Sequence, residues 1–538
     1  MRAAKIVGPR ALLALLLASS AVGFAPAEAP LPTAGKGAPE YLVLVSVDAC
    51  RPEYLDLARL PNFEGLKAAG SFFPEAWVGA LESNTPPGHA EMATGCLPAR
   101  NGILGFGWRD PATGKMTRPT SLDAISRGEL ESVAERSGVP TLSGLVKSRW
   151  PEAKVAVVTT HKYYAAQGLG LGPSDYIIYA EAERDDRVRG RGPGIERTGA
   201  SSLFPRALPG KEPDADFLAD PALRGSAARP GDDMRYVFRL ASAVASRYRP
   251  RALLVNAPET DGQGHKTGGL SDPDSMREVM RGFDEGLGAL VEAYRAAGLM
   301  DRTLWVITAD HGMTAEEREI DPRPLRAAIK AAGTSGAGFP YLYLRDPSKA
   351  EAVARGIAAA APEGLTGVYW LERGADGSFA YRAAEGGLSP GAALDAAYRV
   401  LLAGFAGPSA PDLVLASAEG WGFGRAAAPA AAKGAKAARA AKGERQGSHG
   451  MVNWADQHVF LLLSGPGVAA GLSSPAPARL VDILPTLALA MGLPAPACDG
   501  TALAQEIPAA GGAALAERAK VDAALTAPRD ALRDSVGR

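Results

Sequence analysis

The chain has 538 residues, 46% of them hydrophobic and 22% charged, a composition that gives an ordinary packed core and excludes a disordered or fibrous protein. Lys and Arg number 58 against 59 Asp and Glu, so the net charge is −1 and there is no excess of positive charge to hold nucleic acid. Three cysteines, Cys50, Cys96 and Cys498, exclude a disulfide scaffold and a four-cysteine zinc module; at most one bridge can form, and its partners stay open.

Arg2, Lys5 and Arg10 precede an apolar run over residues 11–25, the order of a secretory signal peptide. Ser19, Ser20 and Gly23 interrupt the run, which is shorter than the ~20 residues of a spanning helix, so an uncleaved membrane anchor is the weaker reading. Ala25-Pro26-Ala27 supplies a cleavage site, making residues 1–27 a signal peptide and the mature chain secreted or periplasmic, free of the membrane. Residues 28–39 are a Pro/Gly-rich linker.

Tyr41–Val47 is then a continuous apolar run of buried-strand length, and similar runs recur at Val155–Val158, Leu253–Asn256, Leu304–Thr308 and Val459–Leu463. Stretches with helical spacing of apolar residues lie between them, among them Asp233–Arg247 and Asp274–Ala297. Alternating strands and helices predict an α/β fold, a doubly wound, mostly parallel sheet with helices on both faces. Residues 181–232 carry little periodicity and read as a surface insertion. Residues 320–445 have β-α signals of their own and read as an inserted small cap domain, ending in an Ala/Lys/Gly-rich loop over residues 426–445. The core is thus expected over residues 40–319 and 446–510, with a C-terminal tail at 511–538.

The chemistry collects where strands end. Asp48 follows YLVLVSV; Asp261 and His265 lie in TDGQGH beyond ALLVNA; Asp310 and His311 follow LWVITA; His449 stands in GSHGM before HVFLLL. One strand-end Asp is commonly a helix cap and one His commonly a satisfied side chain. Four strand ends supplying the same residue types point instead to a metal centre, since ligands bind at the carboxyl ends of parallel strands. The mixed oxygen and nitrogen set suits zinc, manganese or iron better than calcium or magnesium. Thr85, at the head of the helix-like run TPPGHAEMATG, offers a nucleophile whose alkoxide the helix N-terminus and a metal would stabilise; the alternative is a simple helix cap.

The order SVDACR, NTPPGHAEMATGCLPARNGI, TDGQGHKTGG, ADHGM and GSHGM resembles the type I phosphodiesterase/nucleotide pyrophosphatase family of the alkaline phosphatase superfamily, over roughly Tyr41 to Leu503. The resemblance implies an alkaline-phosphatase-like fold and two divalent metal ions, zinc by preference. Asp261, His265 and His449 would hold one; Asp48, Asp310 and His311 would hold the other, with Thr85 bridging to it as the nucleophile. In-line attack by Thr85 on a small phosphate ester or nucleotide would give a phosphothreonine, which water releases.

Two departures bear on the substrate. Where many relatives carry an Asn that contacts the phosphoryl oxygen, this chain has Phe106. Lys162 stands where phosphomonoesterases of the superfamily carry a phosphate-binding Lys, but the Arg that follows theirs is Tyr164 here. Lys162 is either a substrate ligand or a solvent-exposed side chain, and an alkaline phosphomonoesterase is the alternative activity. CLPAR at Cys96–Arg100 matches the sulfatase signature C-x-P-x-R, but Thr85 occupies the sulfatase cysteine's register, nine residues before Thr94. A cofactor-independent phosphoglycerate mutase would carry a Ser nucleophile and no signal peptide. An inactive metal-binding protein would have lost a ligand, and none is missing. The oligomeric state and metal identity stay open.

Overall fold

The computed structural model describes residues 37–182, 201–330, 332–334, 338–423 and 446–536. The signal peptide, most of the linker, residues 183–200 of the insertion and the loop at 426–445 fall outside the described residues.

Ten strands form the central sheet. Tyr41–Val47 lies between Thr303–Thr308 and Ala252–Ala257, parallel to both, and Val155–Val158 and Tyr176–Ala182 extend the parallel ladder. Antiparallel strands complete the sheet, His458–Ser464 and Gly70–Trp77 on one side and Ser201–Ala207 and Gly225–Ala227 on the other. Leu472–Ser473 adds a short parallel edge. Ala252–Ala257 and Thr303–Thr308 are buried throughout, as strands covered on both faces must be, which is why they read as unbroken apolar runs.

Helices Asp232–Tyr248 and Pro273–Ala296 pack on each other beside the sheet. Their crossing is close because residue 286 is Gly; a Cβ there would come within 2.7 Å of the Phe238 ring. Phe63 bridges this layer to the sheet, its ring meeting Phe72, Phe283 and Phe460 at centroid distances of 5.7–6.2 Å.

Tyr341–Leu342, Leu413–Ser417, Leu365–Arg373 and Phe379–Ala383 form a separate four-stranded antiparallel sheet, in that order. One side of it has its own apolar cluster, including Ile320, Leu325, Ile357, Val368 and Leu415. Tyr341, Tyr343, Tyr369 and Leu371 join the main core instead, so the cap is welded to the body.

Three features depart from the sequence reading. Gly70–Trp77 is a strand although Pro74 interrupts it; the register against His458–Ser464 shifts at that point, so the missing N–H falls at a bulge. The stretch read as a surface insertion contributes Ser201–Ala207 and Gly225–Ala227 to the main sheet. Residues 511–538, read as a tail, carry the helix Gly512–Arg533. That helix is anchored by Leu525 and Leu532, which join the main core, and by a buried charge: Arg518 Nη1 donates to Asp482 Oδ2 at 2.8 Å and Nε to Asp522 Oδ1 at 2.7 Å. No helix among the described residues is long and apolar enough to cross a membrane.

Candidate active site

The adjacent parallel strands deliver their polar residues to one place. Asp48 leaves the end of Tyr41–Val47 and is fully buried. Its Oδ1 accepts from Lys162 Nζ at 2.7 Å and its Oδ2 from Asn256 Nδ2 at 2.9 Å. Ala49 then turns at φ +58°, a conformation costly for a residue with a Cβ, and its N–H donates to Asp310 Oδ1 at 3.0 Å. Asp310 and His311 follow Thr303–Thr308, and the His311 N–H also donates to Asp310 Oδ1.

Helix Glu259–Thr267 carries Asp261 and His265 one turn apart on one face, which is the spacing that lets both reach a common point. His449 enters from the loop after Gln446–Ser448. The three imidazoles are oriented alike. His265 Nδ1 faces Gly447 O at 2.9 Å, His311 Nδ1 faces Gly312 O at 2.8 Å and His449 Nδ1 faces Ser83 O at 3.4 Å. A carbonyl only accepts, so each Nδ1 carries the proton and each Nε2 is left with a lone pair.

Those lone pairs point at oxygen acceptors. His265 Nε2 and His449 Nε2 stand 3.3 and 3.2 Å from Asp261 Oδ1. His311 Nε2 is 3.4 Å from Asp310 Oδ2 and 3.6 Å from Asp48 Oδ1. Asp261 Oδ1 and Asp310 Oδ2 are buried without a donor. Acceptors facing acceptors beside buried carboxylates are unfavourable unless a cation lies between them, so this donor set fits metal ions, with His265, its side chain 46% exposed, at the solvent side. Burial pushes His311 down to about 4, and burial, with the His311 ring beside it, does the same to His449, so both rings are neutral and free to ligate. Burial opposes ionisation of Asp261, yet Lys162 and then His265 hold it well below the usual carboxylate range. Asp48 is pushed up, by burial and then by Asp310.

Among the described residues three groups have ligand atoms close enough to share an ion: Asp261 with His265 and His449, Asp48 with Asp261 and His311, and Asp48 with His89 and Asp310. The first coincides with one set expected from sequence. The other expected set is divided: Asp48 and His311 group with Asp261, and Asp48 and Asp310 with His89, although His311 Nε2 lies 3.4 Å from Asp310 Oδ2. His89 Nδ1 donates to Thr85 O at 2.8 Å and Nε2 meets Asn256 Nδ2 at 3.1 Å, so both nitrogens are already engaged. Its place is behind the ligands, holding the backbone of residue 85.

Thr85 is the first residue of helix Thr85–Thr94. Asn84 Oδ1 caps that helix by accepting from Thr85 N at 2.8 Å, and Pro86 and Pro87 fill positions whose N–H has no helical partner. Gly88 lets the helix press on the ligand loop, for a Cβ there would lie 2.5 Å from Asp310 O. Thr85 Oγ1 is left 3.3 Å from His311 Nε2 and 3.4 Å from Lys162 Nζ.

Lys162 is buried rather than exposed, and Nζ bridges Asp48 Oδ1 and Asp261 Oδ2 at 2.7 Å each. Burial works against its charge, but Asp261 and Asp48 raise its pKa. Phe106 and Tyr164, where an amide and a guanidinium were expected, meet edge to face at 5.1 Å. Sequence reasoning passed over Asn256 and His89. Asn256 had a signal: an amide ending an otherwise apolar strand must find partners, here Asp48 and Thr159, whose Oγ1 donates to Asn256 Oδ1 at 2.7 Å.

A family model described as Type I phosphodiesterase / nucleotide pyrophosphatase matches residues 42–452. Alkaline phosphatase PhoK from Sphingomonas sp is 25% identical over 312 residues, covering 51% of this chain and 55% of PhoK. Bis(5'-adenosyl)-triphosphatase ENPP4 from Bos taurus is 43% identical over 56 residues, or 10% of this chain and 12% of that protein. The match therefore spans about half of the first of these relatives and a short stretch of the second. Among solved structures, wild-type alkaline phosphatase PafA superposes with a TM-score of 0.58 at 15% identity, covering 87% of this chain and 99% of PafA. Human ectonucleotide pyrophosphatase/phosphodiesterase 5 gives 0.53 at 18%, covering 85% and 96%. At such identities the likeness is one of fold, an alkaline-phosphatase-like mixed sheet.

Proposed function

The chain belongs to the type I phosphodiesterase/nucleotide pyrophosphatase family, and on that premise we propose that it is an exported, metal-dependent phosphoric ester hydrolase with Thr85 as nucleophile. The observation that carries the reading is the position of Thr85 Oγ1, 3.3 Å from His311 Nε2 and 3.4 Å from Lys162 Nζ at a capped helix N-terminus. Asp261, His265 and His449 would hold one divalent ion and Asp48, Asp310 and His311, with Thr85, the other; zinc is favoured by the resemblance, and manganese or iron also suit the ligands. Ions held there would lower the Thr85 hydroxyl pKa and offset the charge of the phosphoryl group.

The chain's own residues do the rest. Asn84 and His89 fix the Thr85 backbone, so Oγ1 faces the pocket from a rigid helix end. Lys162 supplies a fixed positive charge beside Oγ1, where a phosphoryl oxygen develops charge during attack. Attack on phosphorus expels one ester oxygen and leaves the phosphoryl group, with any second substituent still attached, on Thr85 Oγ1, from which water releases it.

The Phe106–Tyr164 pair favours a diester or pyrophosphate over a monoester. It presents ring surface where a donor to an extra anionic oxygen was expected, and ring surface suits an organic substituent. The buried cationic Lys162 supports the second reading, an alkaline phosphomonoesterase. Parallel hydrolysis of bis-p-nitrophenyl phosphate, p-nitrophenyl phosphate and p-nitrophenyl sulfate by zinc-loaded mature protein separates the two. Faster diester cleavage is expected; faster monoester cleavage selects the second reading, and activity on the sulfate alone overturns both.

A further inference from the structure

The motif CLPAR at residues 96–100 takes no part in the pocket, and the structure gives it another neighbour. Helix Thr85–Thr94 ends at Gly95, which has φ +64° and donates to Glu91 O at 2.8 Å. The Gly95 carbonyl accepts from both Asp499 N and Gly500 N, each at 3.0 Å. On the other side of Cys96, Leu97 N donates to Asp499 Oδ2 at 2.9 Å. Arg100 closes the clasp, with Nη1 on Asp499 Oδ1 at 3.1 Å and Nη2 on Ala497 O at 2.7 Å. Five bonds thus bracket Cys96 on one segment against Cys498 on the other. A Cβ built on Gly95 would lie 3.1 Å from both Cβ and Sγ of Cys498.

We propose that Cys96 and Cys498 are a disulfide-forming pair that joins the end of the nucleophile helix to the C-terminal segment. Cys96 is fully buried, whereas Cys498 is half-buried on the wall of a cavity of about 300 Å³ shared with Thr501, Ala514 and Glu517. Cys498 is therefore the sulfur a disulfide donor reaches first. Its thiolate attacks one sulfur of an exchangeable disulfide, a small-molecule or protein oxidant, and one thiol leaves. The Cys96 thiolate then attacks Cys498 Sγ and expels the second thiol; both electrons and, by way of water, both cysteine protons end on the two released thiols. Burial, followed by Asp499 for Cys96, pushes both thiols up to about 12. Such thiolates are poor leaving groups, so the bond resists exchange once made. Cys50 has no part in this: it is buried beside Glu53 and Asp310.

The test counts thiols in the full chain equilibrated, folded and after refolding, with glutathione at graded oxidised-to-reduced ratios, then alkylated under denaturing conditions and weighed intact. Two thiols should disappear together, leaving one, with a non-reduced peptide joining residues 96 and 498. Cys50→Ser should still form the link, and Cys498→Ser should keep Cys50 and Cys96 free. The bridged form should melt several degrees above the reduced form, because the bridge closes a long loop in the unfolded chain. Three thiols retained at the most oxidising ratio, a glutathione adduct resting on Cys498, or a link through Cys50 would each overturn the proposal. None of these outcomes depends on hydrolase activity or on where the protein resides.

Discussion

His265 Nε2 and His449 Nε2 lie 3.2 Å apart, and both face Asp261 Oδ1. Their Nδ1 hydrogens are spent on Gly447 O and Ser83 O, so with both rings neutral the three acceptors repel one another, and against burial Asp261 raises the His265 pKa. Without a cation the fold carries that repulsion; with one it becomes a ligand set. Divalent metal should therefore raise the thermal midpoint of the wild-type protein, each bound ion adding about 2.7 kcal/mol of stability at a hundredfold excess over Kd. His449→Ala should bind one ion fewer per chain and show a smaller rise. A wild-type midpoint indifferent to zinc, manganese and iron would contradict the metal reading.

Asn256 couples the two halves of the pocket. Its amide donates to Asp48 and accepts from Thr159, and its removal leaves both buried groups short of a partner. Asn256→Ala is expected to cost ~1–3 kcal/mol of stability and to weaken metal binding by roughly 10–100-fold. Denaturant melts and metal titrations read the two effects separately. Unchanged metal affinity would show that Asp48 needs no support from behind.

Phe106 and Tyr164 touch, so they should act as a pair. Phe106→Asn combined with Tyr164→Arg is predicted to raise the ratio of monoester to diester turnover by on the order of tenfold or more, each replaced donor being worth a few kcal/mol at most. The single variants should fall short of the product of their effects, as contacting residues do. A double variant with an unchanged ratio would show that the aromatic pair does not select the substrate.

Away from the pocket, burial and then the Glu259 charge push Asp233 up to about 7 from 3.8. The sign follows from linkage. Below the unfolded value both states hold the proton and nothing is lost. As pH rises past it, only the unfolded chain ionises freely, so stability falls until Asp233 itself ionises near pH 7 and then levels off. Asp233→Asn, which keeps an acceptor for Thr160 Oγ1, should flatten the loss between about pH 4 and 7 in thermal melts. An equal pH slope in both proteins would contradict the assignment.

Much of this site was legible because its residues are local to their strands. Asp48, Asp310 and His311 each follow an unbroken apolar run, and Asp261 and His265 are spaced one helical turn apart. What supports them was not legible. His89 and Asn256 matter through partners 167 residues apart in the chain, and nothing in either segment announces the other. Lys162 read equally well as exposed because its two carboxylate partners lie 114 and 99 residues away. The same limit hid part of what anchors helix Gly512–Arg533: Leu525 and Leu532 keep a helical period, but Arg518 is buried against Asp482, 36 residues away.

The central claim is that Thr85 Oγ1 forms and breaks a bond to phosphorus. The most direct measurement quenches metal-loaded protein in acid during turnover of bis-p-nitrophenyl phosphate and maps any added phosphoryl group by peptide mass. An adduct on Thr85 that holds the phosphorus with its remaining p-nitrophenyl ester is predicted, absent from Thr85→Ala, which should lose at least about 10³-fold in turnover while keeping its metal. Full turnover by Thr85→Ala would contradict the account.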